Sequence, residues 1–168
     1  MKIAILGYSG SGKSTLARLL AEKYNTDVLH FDAVHFLPGW EIRDREEKER
    51  ITEEFLNTHT SWVIDGNYTK LSYERRLREA DLIVMLLFNR FACLCRAYRR
   101  YRKYRGKTRP DMAEGCPEKL DREFVKWILW DSRTKSARER YRSVARMFED
   151  KTVILKNQKE LDRYIDSL

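Results

Sequence analysis

The segment Gly7-Tyr8-Ser9-Gly10-Ser11-Gly12-Lys13-Ser14, with Thr15 behind it, follows the pattern G-x-x-x-x-G-K-[ST]. Its residue types suit one task, the cradling of phosphate groups. Glycines let the backbone curl until successive N–H groups point inward at phosphate oxygens. A helix opening near Lys13 adds the positive end of its dipole to the same hollow. Lys13 would reach the β- and γ-phosphates of a nucleoside triphosphate, and the Ser14 hydroxyl would ligate Mg²⁺. Gly7 to Thr15 is therefore the expected binding segment for ATP.

Two carboxylates and a run of arginines are the other candidates for chemistry. Asp65 closes the apolar run Trp62-Val63-Ile64. An acid in that position beside a phosphate loop partners Mg²⁺, directly or through water; the competing role is a turn or cap acid before Gly66. Asp32 ends Val28-Leu29-His30-Phe31 and would accept a proton from an attacking hydroxyl or hydrogen-bond the acceptor. It, too, has a plain turn role as its rival. Arg96, Arg99, Arg100 and Lys103 fall on one side of a helix, at i, i+3, i+4 and i+7. No acid lies between Arg90 and Arg109, so an arginine here, Arg96 or Arg100 above all, is expected to neutralise charge on a migrating phosphoryl group. A solvated face is the competing reading. Arg133 and Arg138 are weaker candidates.

The remaining reactive residue types carry less. His30 lies inside an apolar strand, and no third ligand stands at metal spacing from His30 and His35. His35, Phe36 and Trp40 either line an acceptor pocket below Asp32 or plug the core. Cys93 and Cys95 lie one residue apart, which suits neither a zinc knuckle nor a redox pair, and they read as packing residues.

These groups need a frame. Apolar strands are expected at Lys2–Leu6, Asp27–Phe31, Ser61–Asp65, Leu82–Phe88 and Thr152–Leu155, with helices between them. The helices are expected at about Lys13–Tyr24, Asp44–Thr58, Thr69–Glu79, Arg90–Tyr104 and Gln158–Ser167. One or two more fill Leu120–Glu149, broken near Asp131–Ser136. Alternation of this kind makes an α/β fold, a three-layer, doubly wound, five-stranded parallel sheet of the P-loop NTPase type. Ligands in such sheets bind at the carboxyl ends of the strands, where Gly7, Asp32 and Asp65 stand.

The 168 residues suit one domain, with no repeat or linker. The longest apolar run, Leu82 to Phe88, is too short to span a membrane. The first strand and the loop occupy the N-terminus, so no signal peptide is expected. Three cysteines without paired spacing suit a reducing cytoplasm. Charge is lopsided. Residues 1–88 hold 12 Lys/Arg against 14 Asp/Glu, whereas residues 89–168 hold 22 against 12. The basic block attracts polyanions, whether a triphosphate, a phosphate-bearing substrate or nucleic acid.

No N-K-x-D guanine-reading sequence is present, since Asn157-Gln158-Lys159-Glu160 fails the pattern, and no acid follows Asp65 as in large motor ATPases. Gly7–Thr15, Phe31-Asp32 with Trp40, Trp62-Val63-Ile64-Asp65-Gly66-Asn67-Tyr68 and Arg109–Glu118 together resemble adenylate-kinase-like P-loop kinases. The resemblance is closest to the DNA topology modulation proteins. It implies a five-stranded core, nucleoside- or nucleotide-kinase-like, with a helical lid inserted at about 104–120. Adenylate kinases follow the strand-three Asp-Gly with Phe-Pro-Arg, where the arginine grips a nucleoside monophosphate. Here Asn67-Tyr68-Thr69 stand instead, which leaves Arg75 or Arg76 as the alternative grip. The zinc-binding lid of some adenylate kinases is missing.

Two functions lead the expectations, with a nucleotide sensor that binds ATP without turnover as a third. The first is an ATP-dependent phosphotransferase moving the γ-phosphate to a small acceptor, a nucleoside or nucleotide among the candidates. In it Lys13 holds the triphosphate, Ser14 and Asp65 hold Mg²⁺, and Asp32 orients the acceptor. The second is a nucleic-acid-binding ATPase that modulates DNA topology. Oligomeric state is not legible.

Overall fold

A computed structural model describes all residues from 1 to 168. The elements in chain order are β1 (Lys2–Gly7), α1 (Lys13–Lys23), β2 (Asp27–His30), α2 (Phe31–His35), β3 (Phe36–Leu37), β4 (Glu41–Ile42), α3 (Arg45–Thr58), β5 (Trp62–Asp65) and α4 (Tyr73–Glu79). They continue as β6 (Leu82–Leu86), α5 (Arg90–Tyr104), α6 (Arg122–Leu129), α7 (Lys135–Met147), β7 (Thr152–Leu155) and α8 (Gln158–Asp166). Short 3₁₀ turns cover Pro38–Trp40, Asp131–Arg133 and Glu149–Lys151.

Five strands form one sheet in the order β2-β5-β1-β6-β7, and every pairing in it is parallel. The chain leaves the central strand β1 in one direction and later crosses it to continue in the other. That reversal opens a crevice at the carboxyl end of β1, where the loop that joins β1 to α1 lies. The fold is α/β, with a five-stranded parallel sheet and eight helices. No helix is long and apolar enough to cross a membrane.

Helices cover β1, so its Ile3, Ala4, Ile5 and Leu6 are wholly buried. Each such large aliphatic side chain contributes roughly 1.5–3 kcal/mol on burial. Polar caps fix several helix starts. Asp44, Asn89, Asp121, Thr134 and Asn157 each accept a hydrogen bond from a backbone N–H two or three residues on.

Several boundaries differ from the sequence expectation. The second strand stops at His30, because Phe31 turns into the core as the first residue of α2. There its ring meets Tyr68 edge-on and the Arg76 guanidinium 4.6 Å away. The fourth strand stops at Leu86, after which Leu87 N donates to Leu155 O. The helix expected from Thr69 starts at Tyr73. The residues before it wrap Arg76, which donates to Gly66 O and Tyr68 O, both at 2.9 Å. The hairpin of β3 and β4 was not expected; its strands pair Phe36 with Ile42 and Leu37 with Glu41.

Residues 105–121 between α5 and α6 form no helix but are held tightly. Arg109, Asp111, Met112, Cys116 and Glu118 are buried. This segment docks on the hairpin. Gly39 N donates to Gly115 O at 2.9 Å, Trp40 Nε1 to Pro117 O at 3.2 Å and Cys116 Sγ to Leu37 O at 3.1 Å.

Candidate functional site

The loop between β1 and α1 is built by contacts that leave no room for side chains. Gly7 has φ +142° and lies against the Leu86 carbonyl, where a Cβ would overlap it. Gly12, the residue before α1, has φ +101° and lies against the Arg96 guanidinium. Asn67 pins the start of the loop: its side-chain amide accepts from Gly7 N at 3.0 Å and donates to Gly7 O at 2.5 Å. Both polar ends of the Asn67 side chain are therefore engaged by the Gly7 main chain. Tyr8 is held between the Tyr141 ring, 5.2 Å away and edge-on, and the Arg133 guanidinium, 3.7 Å from its ring centroid.

Lys13 donates to Tyr8 O at 3.2 Å, which leaves further N–H donors free. Burial lowers its pKa against the opposing pull of Asp32 and Asp65. A desolvated ammonium with donors to spare fits a phosphate. Ser14 Oγ donates to Asp65 Oδ2 at 2.8 Å. Hydroxyl and carboxylate are the hard oxygen ligands that Mg²⁺ takes, so this pair fits that ion.

His30 proves closer to the chemistry than its apolar strand suggested. Its Nδ1 is 2.5 Å from Asp65 Oδ1. Burial opposes the charged imidazole, yet the hydrogen bond and charge of Asp65 outweigh it and raise the His30 pKa. The only sequence signal for this pairing was position, since both residues end neighbouring strands.

Asp32 lies in the first turn of α2 and accepts from the Tyr68 hydroxyl at 2.8 Å. Burial and the nearby Asp32 charge raise the pKa of Tyr68, so Tyr68 stays a donor. His35, Phe36, Trp40 and Tyr68 form a connected aromatic shelf, with ring centroids 4.6 Å (His35–Phe36), 4.9 Å (His35–Tyr68) and 5.1 Å (Phe36–Trp40) apart. All line one cleft of about 1680 Å³ together with Lys13, Ser14, Asp32 and Asp65.

The basic helix sends Arg96, Arg99, Arg100 and Lys103 into the same cleft. Arg96 donates to the Gln158 side chain and stacks over Phe88. Arg100 bonds Glu118 at 2.9 Å. Arg109 in turn pairs with Glu118 and Asp111, both at 2.5 Å. The run that lacks acids in sequence is thus partly balanced in space by acids just beyond it. Arg99 and Lys103 have no such partner.

Neither alternative phosphate grip is free. Arg76 is wholly buried and spent on main-chain carbonyls, and Arg75 bonds Glu79, Glu53 and Asn57. Arg133 packs on Tyr8 and donates to Cys93 Sγ at 3.3 Å, while the exposed Arg138 lies outside the cleft. Trp127 on α6 was not anticipated. Its Nε1–H donates to Ser9 Oγ at 3.0 Å, laying the indole against the loop between β1 and α1.

Comparison with known proteins gives the fold. No family model matches the chain. Among curated proteins, a rat (Rattus norvegicus) 2′,3′-cyclic-nucleotide 3′-phosphodiesterase is 46% identical over 50 residues, 29% of this chain. That match spans only 12% of the relative's length. Among solved structures, an uncharacterized protein from Eubacterium ventriosum superposes with a TM-score of 0.53 at 18% identity, covering 100% of this chain and 99% of the other. A deoxyadenosine kinase from M. mycoides, with the products dCMP and a flexible dCDP bound, superposes with a TM-score of 0.50 at 12% identity. It covers 99% of this chain and 97% of the other. The chain therefore shares its fold with a deoxyadenosine kinase.

Proposed function

We propose that this chain is an ATP-dependent phosphotransferase, a single P-loop kinase domain of residues 1–168 with a lid at about 104–120. The observation that carries the reading is a convergence in one cleft. Lys13 faces two carboxylates, of which Asp65 is bonded to Ser14 and Asp32 stands beside an aromatic shelf. The fold shared with a deoxyadenosine kinase supports it.

In this reading the main-chain amides from Gly7 to Thr15 wrap the triphosphate, and Lys13 bonds its β- and γ-oxygens. Ser14 and Asp65 would hold Mg²⁺, which would supply charge neutralisation on the phosphates. His30 fixes the Asp65 carboxylate. Asp32 orients the acceptor hydroxyl and takes its proton. Arg96, set against Gly12, and Arg100 face the migrating group. The lid, anchored through Gly115, Cys116 and Pro117 to the β3–β4 hairpin, roofs the cleft and excludes water.

A screen of nucleosides, nucleotides and small hydroxyl metabolites with γ-labelled ATP tests the proposal. Label transferred to an acceptor supports it. ATP hydrolysis with no acceptor labelled contradicts it.

The nucleic-acid-binding reading draws on a separate observation. Arg99, Arg102, Lys103, Arg105 and Lys107 are exposed with no carboxylate paired to them. It requires DNA affinity that persists at about 0.1 M salt and falls steeply above it.

A further inference from the structure

The cleft itself constrains what the acceptor is, on the assumption that the phosphotransferase reading holds. Its lining carries 13 Lys/Arg against 7 Asp/Glu. A magnesium-bound triphosphate offsets only part of that surplus. The cleft of about 1680 Å³ also exceeds the about 300–1,000 Å³ common for one small ligand. Both point to a second ligand that is itself anionic.

The position of the surplus matters as much as its size. Arg18, Lys48 and Lys70 line the cleft without an ion-pair partner. Lys48 Nζ stands 3.5 Å from His35 Nδ1, at the aromatic shelf. Arg18 follows Ser14 by one turn of α1. At the reacting position, by contrast, stands a carboxylate, Asp32, held by the Tyr68 hydroxyl. A carboxylate repels an attacking phosphate and accepts the proton of an attacking hydroxyl. The arginines that could have gripped a phosphate there are engaged elsewhere: Arg76 on Gly66 O and Tyr68 O, and Arg75 on Glu53 and Glu79.

We infer that the acceptor is a hydroxyl of a nucleotide that carries its own phosphate away from that hydroxyl. The base lies on the His35–Phe36–Trp40–Tyr68 shelf, and the phosphate lies on Arg18 and Lys48. In the transfer, the acceptor oxygen forms a bond to the γ-phosphorus of ATP, and the bond from that phosphorus to the β,γ-bridging oxygen breaks. ADP leaves with the electron pair, and the hydroxyl proton passes to Asp32 and then to water. The product is a phosphomonoester. Two sources share this chemistry: the 5′-hydroxyl end of a nucleic-acid strand and a free nucleoside 3′-phosphate.

The test presents γ-labelled ATP and Mg²⁺ with a nucleoside, its 3′-phosphate, its 5′-phosphate and a short 5′-hydroxyl oligodeoxynucleotide. Products are assigned by phosphorus NMR as monoester or anhydride. The inference expects monoester only, with kcat/KM for the 3′-phosphate or the oligonucleotide about tenfold or more above the nucleoside. In the double variant Arg18→Ala/Lys48→Ala that preference falls toward one. The oligonucleotide source is marked by a KM that climbs steeply with salt, the nucleoside 3′-phosphate by a shallower rise. Conversion of the 5′-phosphate to an anhydride, or a nucleoside used as well as the charged acceptors, overturns the inference alone. ATP bound with no acceptor labelled overturns the kinase reading and this inference with it.

Discussion

His30 Nδ1 lies 2.5 Å from Asp65 Oδ1, and the two residues face each other in register across β2 and β5. The other oxygen of the same carboxylate accepts from Ser14. Strand pairing from β2 and the first turn of α1 thus fix the acid from both sides.

That pairing predicts a pH dependence in metal-free protein. His30 has a folded pKa raised above the ordinary 6.5. Below that ordinary value the imidazole is charged in both folded and unfolded chains, and its stabilising pairing with Asp65 is present in full. The contribution is lost as pH rises through the folded pKa. In urea unfolding, the stability gap between the native chain and His30→Gln should narrow as pH rises above the ordinary 6.5. A gap that widens with pH contradicts the assignment.

Asp32→Asn keeps the shape of the site and the Tyr68 contact but removes the proton acceptor. The expected loss is about 10²–10⁴-fold in kcat, with ATP affinity little changed. Single-turnover phosphoryl transfer and ATP titration together check this. Unaltered kcat assigns Asp32 to the turn alone.

Arg76→Met separates structure from catalysis. The guanidinium is wholly buried and satisfies Gly66 O and Tyr68 O. Each carbonyl left unpaired costs about 1–3 kcal/mol. Denaturant unfolding should show a large drop in stability. A variant of native stability with weakened acceptor binding would instead restore Arg76 as a phosphate grip.

The fold was largely legible, and the reasons are visible in particular residues. The run Ile3–Leu6 and the glycine-rich stretch behind it announce a buried strand followed by a tight loop and a helix, because these signals are local. The five sheet strands and the basic helix follow from periodicity in the same way. What depends on distant partners was hidden. Nothing in the apolar run Val28-Leu29-His30-Phe31 says that His30 meets an acid 35 residues away. Asn67 could not be read as the clamp on Gly7, nor Trp127 as a donor to Ser9, 118 residues back. Arg76 looked free because a buried arginine on main-chain carbonyls leaves no mark in composition. The basic run looked unbalanced because Glu118 and Asp111 follow it rather than interrupt it.

Glu118 is the shared partner of Arg100 and Arg109 and is almost wholly buried. Glu118→Ala takes the carboxylate from Arg100 on α5 and leaves Arg109 with Asp111 as its one remaining acid, at a cost below the about 3–5 kcal/mol of a buried pair broken outright. Limited proteolysis should then cut within residues 105–121 much faster than in the native chain. Unchanged cleavage would mean that the hairpin contacts alone hold the segment.

The central claim is that the loop from Gly7 to Thr15, with Lys13, holds a nucleoside triphosphate. Calorimetric titration of the folded chain with ATP and Mg²⁺ tests it most directly. Saturable one-site binding is expected, weakened in Lys13→Ala by about 1.5–3 kcal/mol, the worth of a hydrogen bond to a charged group. A folded chain that takes up no purine triphosphate, or a Lys13→Ala chain that binds as well as the native one, contradicts it.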